Sequence, residues 1–252
     1  MSGSSGGVFE GTGGERVPTI SEVLNRRGDL STFVVHLTRD HGGKSASENL
    51  RSILDSGTIT ARTPMGWAKD VVSELGGAAE ESQRVASFSE TPLEHIYSLF
   101  ADIPNRRIGL QPYGIAFTKM VARRKGVNPV WYVDMTPGRD WMIAKALDSL
   151  RDEAATSGTL PDHAAAKILP FIEGMGTWPD RQKEFWWERE WRHVGDFHFD
   201  IKDVALVLCP EGEHAVFHGL ASGKCVDPGW SLERMVAKLV GLAAEDVSPF
   251  SG

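Results

Sequence analysis

The chain has 252 residues, of which 41% are hydrophobic and 24% charged, and it carries a formal net charge of −7. That is the composition of an ordinary globular protein, long enough to bury a sizeable core, and its acidity makes it a poor non-specific nucleic-acid binder, since such affinity rests on neutralising phosphates; local basic clusters keep a nucleic-acid substrate possible. Two cysteines are too few for a disulfide framework, no apolar run approaches the roughly 20 residues of a bilayer span, and no apolar signal core opens the chain; a cytoplasmic protein without membrane contact is expected.

Residues 1–16 are rich in Gly and Ser and predict a disordered tail, leaving 17–252 as one domain. Pro18 to Arg26 predicts a short helix. Thr32 to Thr38 (TFVVHLT) is β-branched and apolar and predicts the first core strand. Ser45-Ala-Ser-Glu48 has the form of a capping box, Leu50, Ile53 and Leu54 recur at helical spacing, and Gly57 follows as a C-cap before an extended piece at Ile59. Residues 62–84 are polar and Gly-rich and predict a loop with at most one helical turn.

Val85 to Ser89 predicts a strand. Thr91-Pro92-Leu93-Glu94 predicts a helix start, with Thr91 as N-cap and Pro92 at the first position. Tyr113 to Thr118 predicts a strand, Lys119 to Lys125 a short basic helix ended by Gly126, and Pro129 to Met135 a further strand. Helices are predicted from Trp141 to Leu150 and over 163–173, with a break from Thr177 to Asp180. Val204 to Leu208 (VALVL) predicts a buried strand, and Leu232 to Leu242 a closing amphipathic helix. Strands and helices mix without strict alternation, which predicts an α+β fold. The basic clusters Arg106-Arg107 and Arg123-Arg124-Lys125 are expected as solvated faces.

The most informative stretch is Phe185-Trp186-Trp187-Glu188-Arg189-Glu190-Trp191-Arg192. As a strand it places Glu188, Glu190 and Arg192 on one face, and Trp187, Arg189 and Trp191 on the other. As a helix it separates the two carboxylates. The bulky aromatics predict the strand. A Glu-x-Glu-x-Arg face is commonly a solvated salt ladder, so other segments must supply partners for a site. Strand residue His36 and its face neighbour Thr38 could hydrogen-bond a sugar hydroxyl or an amide. Ser87, Ser89, Glu90 and Thr91 stand at a strand-to-helix junction, where a helix N-terminus favours an anion.

Other chemistries find less. His214-x-x-x-His218 has zinc-like spacing but lies in a segment that reads as loop or strand, where the spacing does not put both imidazoles on one face; no metal is expected. Neither a dinucleotide glycine fingerprint, a P-loop nor a G-x-S-x-G elbow is present, and neither cysteine has the setting of a nucleophile.

The order of these pieces resembles the ADP-ribosyltransferase superfamily: a His-x-Thr strand, a helix of the form Asn49-Leu50-x-x-Ile53-Leu54-x-x-Gly57-x-Ile59, the junction Phe88-Ser89-Glu90-Thr91-Pro92, and a Glu-x-Glu strand about 100 residues later. Within it, HLTR, FSETPLEHI, YGIAF, NPVWYV and WEREWR together resemble the bacterial abortive-infection family AbiGi, over roughly residues 33–210. The resemblance implies a split, mixed or antiparallel β-sheet flanked by helices and clasping NAD. It implies that His36 meets the NAD ribose, that Leu37 stands where many members carry glycine beside the nicotinamide amide, and that Thr38 is the hydroxyl residue after it. Arg39 would meet a phosphate. Ser89, Glu90 and Thr91 match the strand lining the nicotinamide pocket, without the usual Ser-Thr-Ser pattern, and Tyr113 could stack on a ring. Glu190 matches the catalytic glutamate that stabilises the ribosyl cation, and Glu188 the residue that orients or deprotonates the attacking group. The implied function is NAD-dependent ADP-ribosyl transfer to a protein or nucleic-acid acceptor in anti-phage defence. The alternatives are an NAD glycohydrolase and, since AbiGi members are commonly labelled antitoxins, a non-catalytic binding module that pairs with a cognate toxin.

Overall fold

The computed structural model describes residues 27–101, 109–138, 142–156, 160–220 and 224–242. The predicted tail over 1–16, the predicted helix Pro18 to Arg26 and the Arg106-Arg107 pair lie outside the described residues.

The elements follow in chain order. Strand β1 is Phe33–Leu37, helix α1 is Ala46–Ser56, and short strands β2 (Thr58–Ile59) and β3 (Thr63–Pro64) precede helices α2 (Lys69–Leu75) and α3 (Gly77–Glu81). Strand β4 is Arg84–Ser89 and β5 is Gly114–Thr118, followed by α4 (Lys119–Arg124), β6 (Asn128–Pro129) and β7 (Trp131–Asp134). Helix α5 is Met142–Thr156; β8 (Ile172–Thr177), β9 (Gln182–Lys183), β10 (Glu190–Val194), β11 (Phe197–His198) and β12 (Val204–Leu208) come next. Helix α6 (His214–His218), β13 (Cys225–Val226) and α7 (Leu232–Leu239) close the described chain. The class is α+β, as expected.

Among the described residues, eight strands make the main sheet, in the order β13-β12-β5-β1-β4-β10-β6 with β3 also on β4. It is mixed: β12 and β13 run parallel, and its other pairs are antiparallel. A second sheet, β7-β8-β9, stands apart. The apolar side chains of alternating strand positions sort to two faces. Val34, Phe88, Ile115 and Phe117 join α1 through Leu50 and Leu54 on one side. Val35, Leu37, Ala116 and Leu208 meet Met235 of α7 on the other.

One feature of the pairing positions the site. Strand β1 matches β5 over five residue pairs, and β4 matches β10 over five, yet among the described residues β1 and β4 share a single pair, Val35 with Ser89. Strand β3 takes Arg84 and Val85 at the other end of β4. Between these points β1 and β4 part, and the sheet opens.

Local chemistry explains the predicted elements that hold. Ser45 accepts from the Glu48 amide while the Glu48 carboxylate accepts from the Ser45 amide, and Gly57 closes α1 in the left-handed region at φ 61. A Cβ there would stand 2.7 Å from the Phe199 carbonyl oxygen, so glycine satisfies both the turn and the close approach. The VALVL strand has its predicted bounds.

Elsewhere tertiary contacts override the local pattern. Residues 62–84 are not a loop: they carry β3, α2 and α3, because Ala68 and Val72 bury against Leu160, Ala165 and Leu169. Residues 163–173 are not one helix but 3-10 turns at Ala164–Lys167 and Leu169–Phe171 followed by β8. Pro170 lacks the N–H that a continuing helix needs. The Pro129 to Met135 strand is divided at Val130, whose amide leaves the line to bond the Glu190 carbonyl. Thr91 is not an N-cap: Leu93–Phe100 is a 3-10 helix with Pro92 at the cap position, and the Thr91 hydroxyl pairs with that of Ser89. His214–His218 is helical rather than loop or strand, yet no cluster of three metal-ligating side chains occurs among the described residues.

Candidate functional site

The Phe185–Arg192 stretch is not a continuous strand. Phe185–Glu188 forms a 3-10 turn, Arg189 is left-handed at φ 49, and β10 begins at Glu190. Three contacts fix the turn. The Ser89 hydroxyl donates to the Glu188 carbonyl at 2.6 Å, Trp187 packs on the Val35 and Leu208 cluster, and the Arg189 guanidinium reaches the Asp29 carbonyl and Glu90. Positive φ is uncommon for a residue with a Cβ, and Arg189 is held there by its links on both sides.

The opening between β1 and β4 is one wall of a cleft of about 1330 Å³. Successive residues Val35–Arg39 and Val85–Ser89 all line it. One face of a strand exposes alternate residues; only a free strand edge presents neighbours of both parities. The carbonyl of Ser87 lies on that edge, and His36 Nδ1 bonds it at 2.8 Å. Nδ1 is therefore the donor and Nε2 the acceptor of a neutral imidazole. Burial, with Arg62 nearby, lowers the His36 pKa below its ordinary value against the opposing effect of the Ser87 bond.

Glu190 enters the cleft from the other parity. Register aligns Val35, Ser89 and Glu190 across three strands, so Glu190 and His36 leave the sheet on opposite sides. They line one cavity because it wraps around the edge of β4. Glu188 lines it too.

Arg192 organises the acidic floor. Its side chain has no exposed surface. Nε and Nη2 hold both Glu190 oxygens at 3.0 and 2.7 Å, Nη2 also meets Glu173 at 2.7 Å, and Nη1 donates to the Pro170 carbonyl at 2.6 Å. Burial works against the guanidinium charge, and Glu190 and Glu173 outweigh it, so its pKa stands above the usual arginine value. Burial likewise opposes the Glu173 charge, and Arg192 and Lys183 outweigh it to hold that carboxyl below its ordinary range. Burial raises the pKa of the neighbouring Tyr132, and Glu190 adds to it, so its phenol stays protonated.

The wider lining reverses the sign of the protein. Eight lysine and arginine residues, the covered Arg192 among them, line the cleft against five carboxylates, although the whole chain carries −7. Rings from Trp67, Tyr132, Trp178 and Phe185 are interleaved with them. A cationic rim with aromatic walls around an acidic floor suits a ligand with phosphate, ring and electron-poor parts.

Of the residues singled out in the sequence, His36, Leu37, Thr38, Arg39, Ser89, Glu188 and Glu190 line the cleft. Thr38 is buried and donates its hydroxyl to the Ala46 carbonyl at 2.8 Å, which ties β1 to α1. Glu90 is outside the lining and buried, and bonds Lys119, Arg189 and Trp191 Nε1. Thr91 is outside it as well. So is Tyr113, whose hydroxyl donates to Glu213; burial and that carboxylate raise its pKa to about 12. The sequence reading missed Glu173, Lys183, Arg62, Trp178 and Arg181. Glu173 was hidden inside a predicted helix, whereas the Trp178-Pro179-Asp180-Arg181 turn was marked by its own Pro and Asp.

A family model described as "Putative abortive phage resistance protein AbiGi, antitoxin" matches residues 65–211, more than half of the chain. The chain belongs to the AbiGi family. The match takes in β4, Glu173, the 185–188 turn and all of β10, hence the acidic floor of the cleft, and starts after β1 and α1. No curated protein matches the chain, and no solved structure does. Among the described residues no helix is long and apolar enough to cross a membrane.

Proposed function

We propose that this AbiGi chain serves abortive-infection phage defence as the ligand-binding, antitoxin-type member of a pair, and that its cleft takes a nucleotide of NAD type. The charge reversal supports the ligand class: a net-positive cleft in an acidic protein draws an anion, and the interleaved rings offer faces to a base. The state of Glu190 supports binding without turnover. Cleaving nicotinamide from ribose builds positive charge on the sugar, which a carboxylate must offset. Glu190 already has both oxygens on a buried guanidinium and has less charge to give. The cognate partner in this reading is a toxin protein, as the family description implies.

A second reading keeps the reaction, as the resemblance to ADP-ribosyltransferases implies. Arg192 is shared between Glu190 and Glu173, so Glu190 does not hold the guanidinium alone and keeps part of its charge for a ligand, with Glu188 lining the same cleft. In that reading the bond from ribose C1′ to nicotinamide breaks, its electron pair leaves on the nicotinamide nitrogen, and Glu190 steadies the sugar cation. An acceptor oxygen bonds C1′ and gives its proton to Glu188. The acceptor is a macromolecule in the transferase and water in an NAD glycohydrolase.

Calorimetric titration with NAD, paired with chromatographic assay of free nicotinamide, separates the two. Saturable binding without nicotinamide release, by a chain that is harmless when expressed alone and relieves a co-expressed toxin, is the expected result. Nicotinamide release or ADP-ribose transfer that disappears in Glu190→Gln would replace the binder with the enzyme.

A further inference from the structure

The cleft is larger than one small molecule needs. Its 1330 Å³ exceeds the roughly 300–1,000 Å³ of pockets that enclose a single small ligand. Part of its lining comes from the turn between β8 and β9 and from residues 62–69, which bring rings and cations to it.

Trp178-Pro179-Asp180-Arg181 closes the β8–β9 hairpin, with the Trp178 amide bonded to the Arg181 carbonyl at 2.7 Å. Proline at the second turn position presets the backbone. The turn lays the Arg181 guanidinium over the Trp178 ring, 4.8 Å from its centre. Arg181 is exposed, lines the cleft, and has no carboxylate partner among the described residues. A stacked guanidinium keeps its N–H edge free for phosphate or a base edge while its outer face extends the ring surface. Trp67 supplies another ring, fixed by Nε1 on Asp148 at 3.0 Å. Arg62 and Lys69 are exposed cations of the same cleft, again without a carboxylate partner among the described residues.

Rings spaced among unpaired cations along one groove are how proteins hold unpaired strands: bases stack and the backbone tracks the positive charge. A duplex hides its base faces, and an acidic peptide has no use for the rings. We infer that the arm of the cleft lined by Arg62, Lys69 and the β8–β9 turn binds single-stranded nucleic acid, with Trp178 and Arg181 stacking a base and Arg62 and Lys69 holding phosphates. The inference rests on the nucleotide-type reading of the cleft and extends it from one nucleotide to a strand.

Fluorescence anisotropy with labelled oligothymidylates, from mononucleotide to dodecamer, tests it, with a dodecamer duplex and an oligoaspartate peptide as competitors. Affinity is expected to climb over the first few nucleotides and then level off, to fall with added salt, and to exceed that for duplex about tenfold or more. Trp178→Ala is expected to weaken the dodecamer roughly five- to a hundredfold, the loss of one stacked base, and Arg181→Lys to weaken it less than Arg181→Ala. Both sites are on the hairpin turn, so unchanged melting temperatures show that each of the three variants is folded. Equal affinity for mononucleotide and dodecamer would overturn the strand and leave the small-ligand reading standing. Binding of no nucleotide at any length would remove both. Oligoaspartate competing as well as DNA would reduce the arm to a generic anion seat and overturn the inference.

Discussion

Replacing Arg192 by methionine tests the electrostatic design of the cleft floor. The change keeps most of the side-chain length and removes the charge that holds Glu190 and Glu173. Those carboxylates are 15% and 14% exposed, and Arg192 is fully covered. Removing one partner of a buried ion pair costs about 3–5 kcal/mol, because the charge left behind is uncompensated. For a domain of this size each kcal/mol shifts the melting temperature by about 2–4 °C, so a drop of about 6–20 °C is expected in a thermal melt near neutral pH. The deficit carries a pH signature. In the native protein Glu173 is held below its ordinary range by Arg192 and Lys183, against burial; its contribution is present above the unfolded carboxyl value of about 4.3 and is lost as pH falls through the folded one. In Arg192→Met, Glu173 keeps only Lys183 against its burial and binds a proton more readily than in the native protein, so the deficit shrinks on acidification toward pH ~4.5. The combined Arg192→Met, Glu190→Gln, Glu173→Gln chain removes the stranded charges and is expected to recover most of the loss. A loss under about 1 kcal/mol, or a deficit that stays constant with pH, would refute the reasoning.

Three further perturbations follow. At Gly66, with φ +93, an added Cβ would stand 2.2 Å from the Leu169 carbonyl oxygen that also accepts from the Trp67 amide; Gly66→Ala should cost at least about 2 kcal/mol in urea denaturation and weaken ligand binding by displacing Trp67. His36 titrates below its ordinary value through burial and Arg62, against the Ser87 bond. The unfolded chain therefore takes up this proton first, and stability falls as pH drops from about 6.5 toward the lower folded value. His36→Gln should flatten that part of the stability-against-pH curve measured by chemical denaturation. Ser45→Ala removes one half of the α1 capping box and should cost about 0.5–2 kcal/mol, read from a denaturation midpoint, while leaving the acidic floor intact.

Where local chemistry and tertiary demand agree, the fold was legible. The Ser45 capping box and the Gly57 cap take their expected form because they satisfy backbone groups within a few residues, and the VVHL and VALVL strands because their apolar runs suit the pairing with β5 that buries them. The site was partly legible for the same reason: His36 and Glu190 sit in strands that meet around Ser89, and both line the cleft. Its finer geometry was not. Reading Phe185–Arg192 as a strand missed that Trp187 is needed in one core cluster and Trp191 in another, which the left-handed turn at Arg189 reconciles. Glu90 carries the same polarity as a binding residue, yet it answers Lys119 and Arg189, partners that only the assembled sheet brings near. Glu173 and Lys183 entered the floor from a hairpin that no periodicity announced, since β9 is two residues long.

Titration calorimetry of the intact chain with ADP-ribose and NAD, at low and at high salt, reaches the central claim most directly. The account predicts one saturable site whose affinity weakens with salt and falls further in Arg62→Ala, with Glu190→Gln still binding. A folded chain that takes up neither compound at millimolar concentration, or binds them with no response to salt, would contradict it.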